Sequence, residues 1–184
     1  MRNTKSMKNQ VIKQFVGGAF IALLAAVLAG CATTCKTGKI GTYAIDVSLD
    51  ESLKTSSVLV DLVGVNPSNL PRWEGYDMGK YWKEGDAMRR DADKMVLNFI
   101  SGQALTMSLP LADPQWGKWK AKGVTHVLVL ADLPGSQTGK PGNQDARRQI
   151  LPLDKCNWPD GTTGLKVLVQ RSGIVVLTPA RSVN

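Results

Sequence analysis

Cys31 is the residue whose chemistry can be specified first. It closes the tetrapeptide Leu28-Ala29-Gly30-Cys31, in which Ala29 and Gly30 present no bulk at the bond before a thiol that can be converted to a thioether. Ahead of it stand Arg2, Lys5, Lys8 and Lys13 with no acidic residue, and then an apolar stretch from Phe15 to Leu28. Basic start, apolar middle and small-residue end, in that order, read as a secretory signal peptide. The apolar stretch falls short of the roughly 20 residues that a bilayer-spanning helix needs. The competing reading is an uncleaved N-terminal membrane helix with a chance cysteine. We take residues 1–30 as the signal peptide, with Cys31 as the first residue after cleavage.

Other residues with reactive side chains do not assemble into a catalytic set. His126 is the only histidine, so neither a histidine metal cluster nor a relay through a second imidazole is available. It opens an apolar run and reads as a hydrogen-bonded strand residue. The stretch Gly135-Ser136-Gln137-Thr138-Gly139-Lys140-Pro141 imitates a phosphate loop, but it is one residue short between the glycines and has proline where the motif needs Ser or Thr. Asp91 with Asp93, and Glu84 with Asp86, could pair as carboxylates for glycoside hydrolysis. They are interleaved with Arg89, Arg90 and Lys94, which points instead to a solvated, partly salt-bridged face. No glycine-flanked nucleophile motif is present. The expectation is a protein that is not an enzyme and has neither metal nor cofactor.

Composition sets further bounds. Four of the 23 basic residues and none of the 15 acidic ones fall in residues 1–30, so the remaining 154 residues carry 19 against 15, a net +4. That excess is too small and too mixed in sign to indicate nucleic acid. A chain of this size suits one domain with its own core. Besides Cys31 there are only Cys35 and Cys156. In an oxidising compartment these two can pair and close a loop worth about 4 to 5 kcal/mol; the alternative is two free thiols. The aromatic residues form two groups, Trp73, Tyr76 and Trp82, and Trp116 with Trp119. Such rings either build a surface that stacks sugars or anchors a partner, or cover the open ends of the fold.

The elements that must position these residues are mostly strands. Residues 31–41 are small, polar or basic and read as a tether, with order beginning at Thr42. Tyr43, Ile45, Val47 and Leu49 alternate with Ala44, Asp46 and Ser48 as in a half-buried strand. Asp50, Glu51, Ser52, Leu53, Lys54, Thr55 and Ser56 form a polar connection longer than a tight hairpin needs. Ser57 to Val65 is nearly continuous apolar sequence, the mark of a strand covered on both faces. Helical turns are expected at Met78 to Trp82 and from Ala87 to Asp93, the latter capped by Asp86. Lys94 to Ile100 and Ala104 to Leu109 read as a hairpin around Ser101-Gly102-Gln103, and Pro110 to Gly123 as a long connection. Thr125 to Leu133 is expected to be central, Pro134 to Ala146 a loop, Arg148 to Leu153 a short strand, and Leu165 to Gln170 with Ile174 to Thr178 a last hairpin. About eight short strands with a small helical insertion predict an all-β, two-sheet sandwich over residues 42–184; a small closed barrel has the same periodicity.

Two resemblances add to this reading. Leu28-Ala29-Gly30-Cys31 resembles the lipobox of bacterial lipoproteins. That implies a diacylglyceryl thioether and an N-acyl chain on Cys31; several chains hold a protein firmly where one holds it reversibly. Ala32 is not the aspartate that retains lipoproteins at the inner membrane, which implies the outer membrane, with the domain facing the periplasm. The order of lipobox, tether, alternating first strand, polar loop, Val58-Leu59-Val60-Asp61-Leu62, helical insertion, Val127-Leu128-Val129-Leu130-Ala131-Asp132 and a final hairpin resembles the TssJ family of type VI secretion lipoproteins. The resemblance implies a transthyretin-like sandwich that docks onto the periplasmic domain of an inner-membrane secretion protein, with Asp50 to Ser56 making the contact. The Trp73-Glu74-Gly75-Tyr76 segment and the Pro134 to Ala146 loop have no counterpart in that pattern. The alternative function is a cell-envelope lipoprotein that binds glycan or another ligand through exposed tryptophans.

Overall fold

The computed structural model describes residues 38–133 and 144–182. The expected signal peptide, Cys31, Cys35 and residues 134–143 of the expected loop lie outside the described residues. Eight strands form two four-stranded sheets, as the periodicity predicts. One sheet has the order β4-β1-β7-β8, built from β1 (Ala44–Leu49), β4 (Thr106–Leu109), β7 (Gly164–Gln170) and β8 (Gly173–Val176). The other has the order β3-β2-β5-β6, built from β2 (Val58–Val65), β3 (Lys94–Phe99), β5 (His126–Ala131) and β6 (Arg148–Pro152). Only β1 and β7 pair in parallel, with Val47 opposite Val167; the other pairs within the sheets are antiparallel.

The core follows from the pleat. In β1 every second side chain, Ile45, Val47 and Leu49, points into the sandwich and is buried. They meet Val58, Val60, Leu62, Leu97, Val127 and Val129 of the facing sheet. The apolar run of β2 is covered on its other face too. Val63 and Val65, with Leu128 and Leu130 of β5, pack under three short helices, α1 (Leu70–Glu74), α2 (Met78–Tyr81) and α3 (Ala87–Asp91), which contribute Trp73, Met78, Tyr81 and Met88. Asp77 caps α2 through Lys80 N, and Asp86 caps α3 through Arg89 N.

Three expectations need correction. The stretch around Ser101-Gly102-Gln103 is not a hairpin, because β3 pairs with β2 and β4 with β1, so the chain crosses from one sheet to the other. A six-residue connection exceeds the two-residue turn of a tight hairpin and is free to make that crossing. The segment from Pro110 to Gly123 is not merely a connection: it contains α4 (Pro114–Ala121), capped by Asp113 and started by Pro114. Finally, order begins before Thr42. Gly41 N donates to Leu153 O at 2.7 Å, Lys155 N to Lys39 O at 2.9 Å and Gly38 N to Asp154 Oδ2 at 2.7 Å. The last residues of the expected tether are thus zipped onto the chain beyond β6.

The strand directions give the sandwich two unlike ends. The connections β1–β2, β3–β4 and β7–β8, with the finish of β5 and the start of β6, gather at the end where β1 finishes. The incoming tether, α4 and the β6–β7 connection gather where β1 starts. Six residues of β1, at about 3.3 Å each, put roughly 20 Å between the two.

Candidate functional site

At the loop end, Asp50 to Ser56 is a constructed surface. Asp50 Oδ1 accepts a hydrogen bond from Ser52 N at 3.0 Å, starting a turn of 3-10 helix over Glu51–Leu53. The hydrogen bonds from Ser52 hold the Asp50 carboxyl below the usual range. Leu53 is 0% exposed and inserts into the core between the sheets. The loop is tied to its neighbours on two sides. Arg171, in the β7–β8 turn, donates from Nε and Nη2 to Ser52 O at 3.2 and 2.7 Å, and Gly102 N, in the β3–β4 crossing, donates to Lys54 O at 2.9 Å. Gly102 has φ +76°, a backbone that favours glycine. What faces outward is Glu51, Ser52, Lys54 and Thr55, with Lys54 Nζ 3.6 Å from Glu51 Oε2. Leu53, expected as a contact residue, instead holds the loop from beneath, and only the other six positions are free of the core.

The aromatic groups are not an exposed ligand surface. Trp73, Trp116 and Trp119 are buried, and Tyr76 and Trp82 are half-buried. Trp119, 1% exposed, lies flat over Gly64 of β2, where an added Cβ would come within 2.6 Å of three of its ring atoms. Its Nε1 donates to Asp93 O at 3.2 Å, and Trp116, packed edge-on at 5.2 Å, donates to Pro110 O. These two rings close the tether end of the core. Trp73 and Trp82 sandwich Tyr81 edge-on, and the Arg89 guanidinium stacks 4.4 Å from the Trp82 ring. Of the five rings expected as an alternative ligand surface, Trp116 and Trp119 seal the core and Trp73 the layer between helices and sheet, which leaves only Tyr76 and Trp82 part-exposed.

Under the helices lies a polar cluster that pattern reading overlooked. Asp61, fully buried in the middle of β2, accepts from Tyr81 OH at 2.8 Å and from Arg89 Nε at 2.9 Å. Burial, with Asp61 beside it, raises the Tyr81 hydroxyl far above its ordinary value. Arg148, buried at the start of β6, donates to the carbonyls of Trp73 and Tyr76 at 2.7 and 2.9 Å, and Arg147 grips Asp145 through two contacts of 3.0 and 2.7 Å. Burial pushes the Asp132 carboxyl up. One acid inside Val58-Leu59-Val60-Asp61-Leu62-Val63 was the available signal, since a charge in a doubly covered strand requires a partner. The cluster fastens the helices to the sheet. Among the described residues no group of three His, Cys, Asp or Glu side chains is placed to hold a metal ion. His126 opens β5 and shares a 2.9 Å hydrogen bond with the Thr125 hydroxyl.

No family model matches the sequence, and no curated protein matches it. Among solved structures, the chain is similar to the C-terminal domain of the type VI secretion protein TssM from EAEC, with a TM-score of 0.47 and 15% identity over 74% of this chain and 100% of that one. It is also similar to Serratia marcescens Lip, a membrane-bound component of the type VI secretion system (0.46, 11%, 79% and 100%), and to the lipoprotein TssJ1 from Pseudomonas aeruginosa (0.44, 12%, 79% and 100%). The chain resembles these structures. With scores and identities this low, function is left to the chain's own residues.

Proposed function

We propose that the chain is an outer-membrane lipoprotein, held by acyl chains on Cys31, whose loop from Asp50 to Ser56 docks onto the periplasmic domain of an inner-membrane secretion protein, as in the TssJ lipoproteins that its sequence resembles. The observation that carries the reading is the polarity of the sandwich. The chain arrives from the Cys31 side at one end, and the braced loop stands at the other, about 20 Å further along β1. A surface meant for a partner across the periplasm belongs on the end that points away from its own membrane. The disulfide fits the same picture. Cys156 is disulfide-bonded. With the Cys31 sulfur used as a thioether, Cys35 is the proposed partner.

Two measurements test this. Intact mass of the membrane-extracted protein is expected to carry the acyl groups, and Cys31→Ser to lose them; an unchanged mass overturns the anchor. In crosslinked envelopes, Glu51→Arg with Thr55→Arg is expected to lose an inner-membrane partner while the melting temperature is retained. Retention of every crosslinked partner overturns the docking role.

A further inference from the structure

We propose that the tether end of the sandwich is a membrane-contact surface that binds the anionic phosphate headgroups of the phospholipid leaflet. The proposal rests on the lipid-anchor reading for which surface lies nearby, and on the residues of this end for the binding itself. Lys39, Lys118, Lys120 and Lys155 are all exposed there, and none has an ion pair among the described residues. Most acids of the same end are engaged. Asp93 is paired with Lys122 Nζ at 2.8 Å, Asp160 with Arg181, and Asp113 and Asp154 accept backbone N–H groups at Gln115, Gly38 and Cys156. Glu74 stands apart, on α1 beside His126.

Apolar groups accompany the charges. Ile40, Leu111 and Leu177 are exposed large hydrophobic side chains of this end. Ile40 borders a notch of about 240 Å³ floored by Trp116 and Trp119, with Lys120 at its rim. Exposed aliphatic groups beside flexible lysines suit the boundary between headgroups and acyl chains, where each lysine near an anionic surface is worth about fivefold in binding. Lysine stems can lie along apolar surface while their ammonium groups reach phosphate. Among the described residues, the loop end offers no such set: Lys54 faces Glu51, and Arg171 is spent on Ser52 O. Gly38 is seven residues beyond Cys31, a span of at most about 25 Å, so an acylated Cys31 keeps this end within reach of the leaflet.

The test is co-sedimentation of the mature chain carrying Cys31→Ser, which has no acyl group, with vesicles of mixed phosphatidylglycerol and phosphatidylcholine and with phosphatidylcholine alone. Binding is expected to the anionic vesicles only, to fall with added salt, and to weaken more than tenfold in Lys118→Glu/Lys120→Glu/Lys155→Glu. Lys54→Glu, at the other end, is expected to change nothing. Since reversal of three charges could disturb folding, Ile40→Asp serves as a second variant with the same expected loss, and both are checked for an unchanged melting temperature. Equal affinity for the two vesicles, no binding to either, or full binding by the folded variants overturns the proposal. Any of these leaves the acylated mass and the loop's crosslinked partner untouched, whereas loss of those leaves vesicle binding intact.

Discussion

Asp61 spends a charge in a place closed to water, and its two partners come from helices 20 and 28 residues further along the chain. Removing a partner is therefore costlier than the bond it made. Tyr81→Phe is expected to lower unfolding free energy by about 1–3 kcal/mol in urea titrations. Arg89→Met is expected to cost about 3 kcal/mol, the low end for a broken buried pair, because 26% of the Arg89 side chain is still exposed. His126 offers a separate readout. Burial lowers its pKa below the ordinary 6.5. The unfolded chain takes up a proton near that pH and the folded one does so only lower, so stability is full above about 6.5 and falls as pH drops toward the folded value. As the only histidine, it accounts for that titration by itself: His126→Gln is expected to flatten the stability curve between pH 7.5 and 5.5, measured by urea midpoints.

At the scale of elements, α4 closes the core at one end, and the Asp50–Ser56 loop caps it at the other through Leu53. Trp119→Ala is expected to cost about 3–5 kcal/mol, and Leu53→Ala about 2–5, both seen as lowered thermal midpoints. Glu51→Arg, on the outside of the same loop, is expected to leave the midpoint within about 0.5 kcal/mol of the parent. All eight strands were legible because burial on a pleated sheet writes itself as alternation, or as continuous apolar sequence where both faces are covered. The helix at Pro114 was missed: Asp113-Pro114 is a start signal, but the mixed lysine and tryptophan face obscures the period. Which sheet β4 joins was not legible, because nothing in the six residues from Ile100 to Leu105 distinguishes a turn from a crossing. For the site, the position of the loop could be read from sequence, whereas the inward turn of Leu53 could not: a lone leucine in a polar loop gives no direction. The tryptophans misled for a related reason, since an aromatic beside lysines looks alike whether its ring faces solvent or lies over a glycine such as Gly64.

For the whole molecule, the proposed function assigns anchoring to one end and docking to the other, and Cys156 is disulfide-bonded. If Cys35 is its partner, Cys156→Ser and Cys35→Ser each lower stability by about 4–5 kcal/mol, by urea unfolding, and the two changes together cost no more than one. The direction of β1 has a further, mechanical consequence. The strand lies between β4 and β7, with its start near Gly41 and its finish at the Asp50–Ser56 loop, so in the proposed assembly a pull between anchor and partner acts along the strand itself. Both ladders then resist sliding together, instead of opening one hydrogen bond after another as a peeled edge strand does. Single-molecule stretching through residues 39 and 55 is expected to need several times the force of stretching through the two ends of the β7–β8 hairpin, with the difference set by the unfolding rate along each direction. In the proposed assembly, tension between anchor and partner would fall along the sheet's strongest axis.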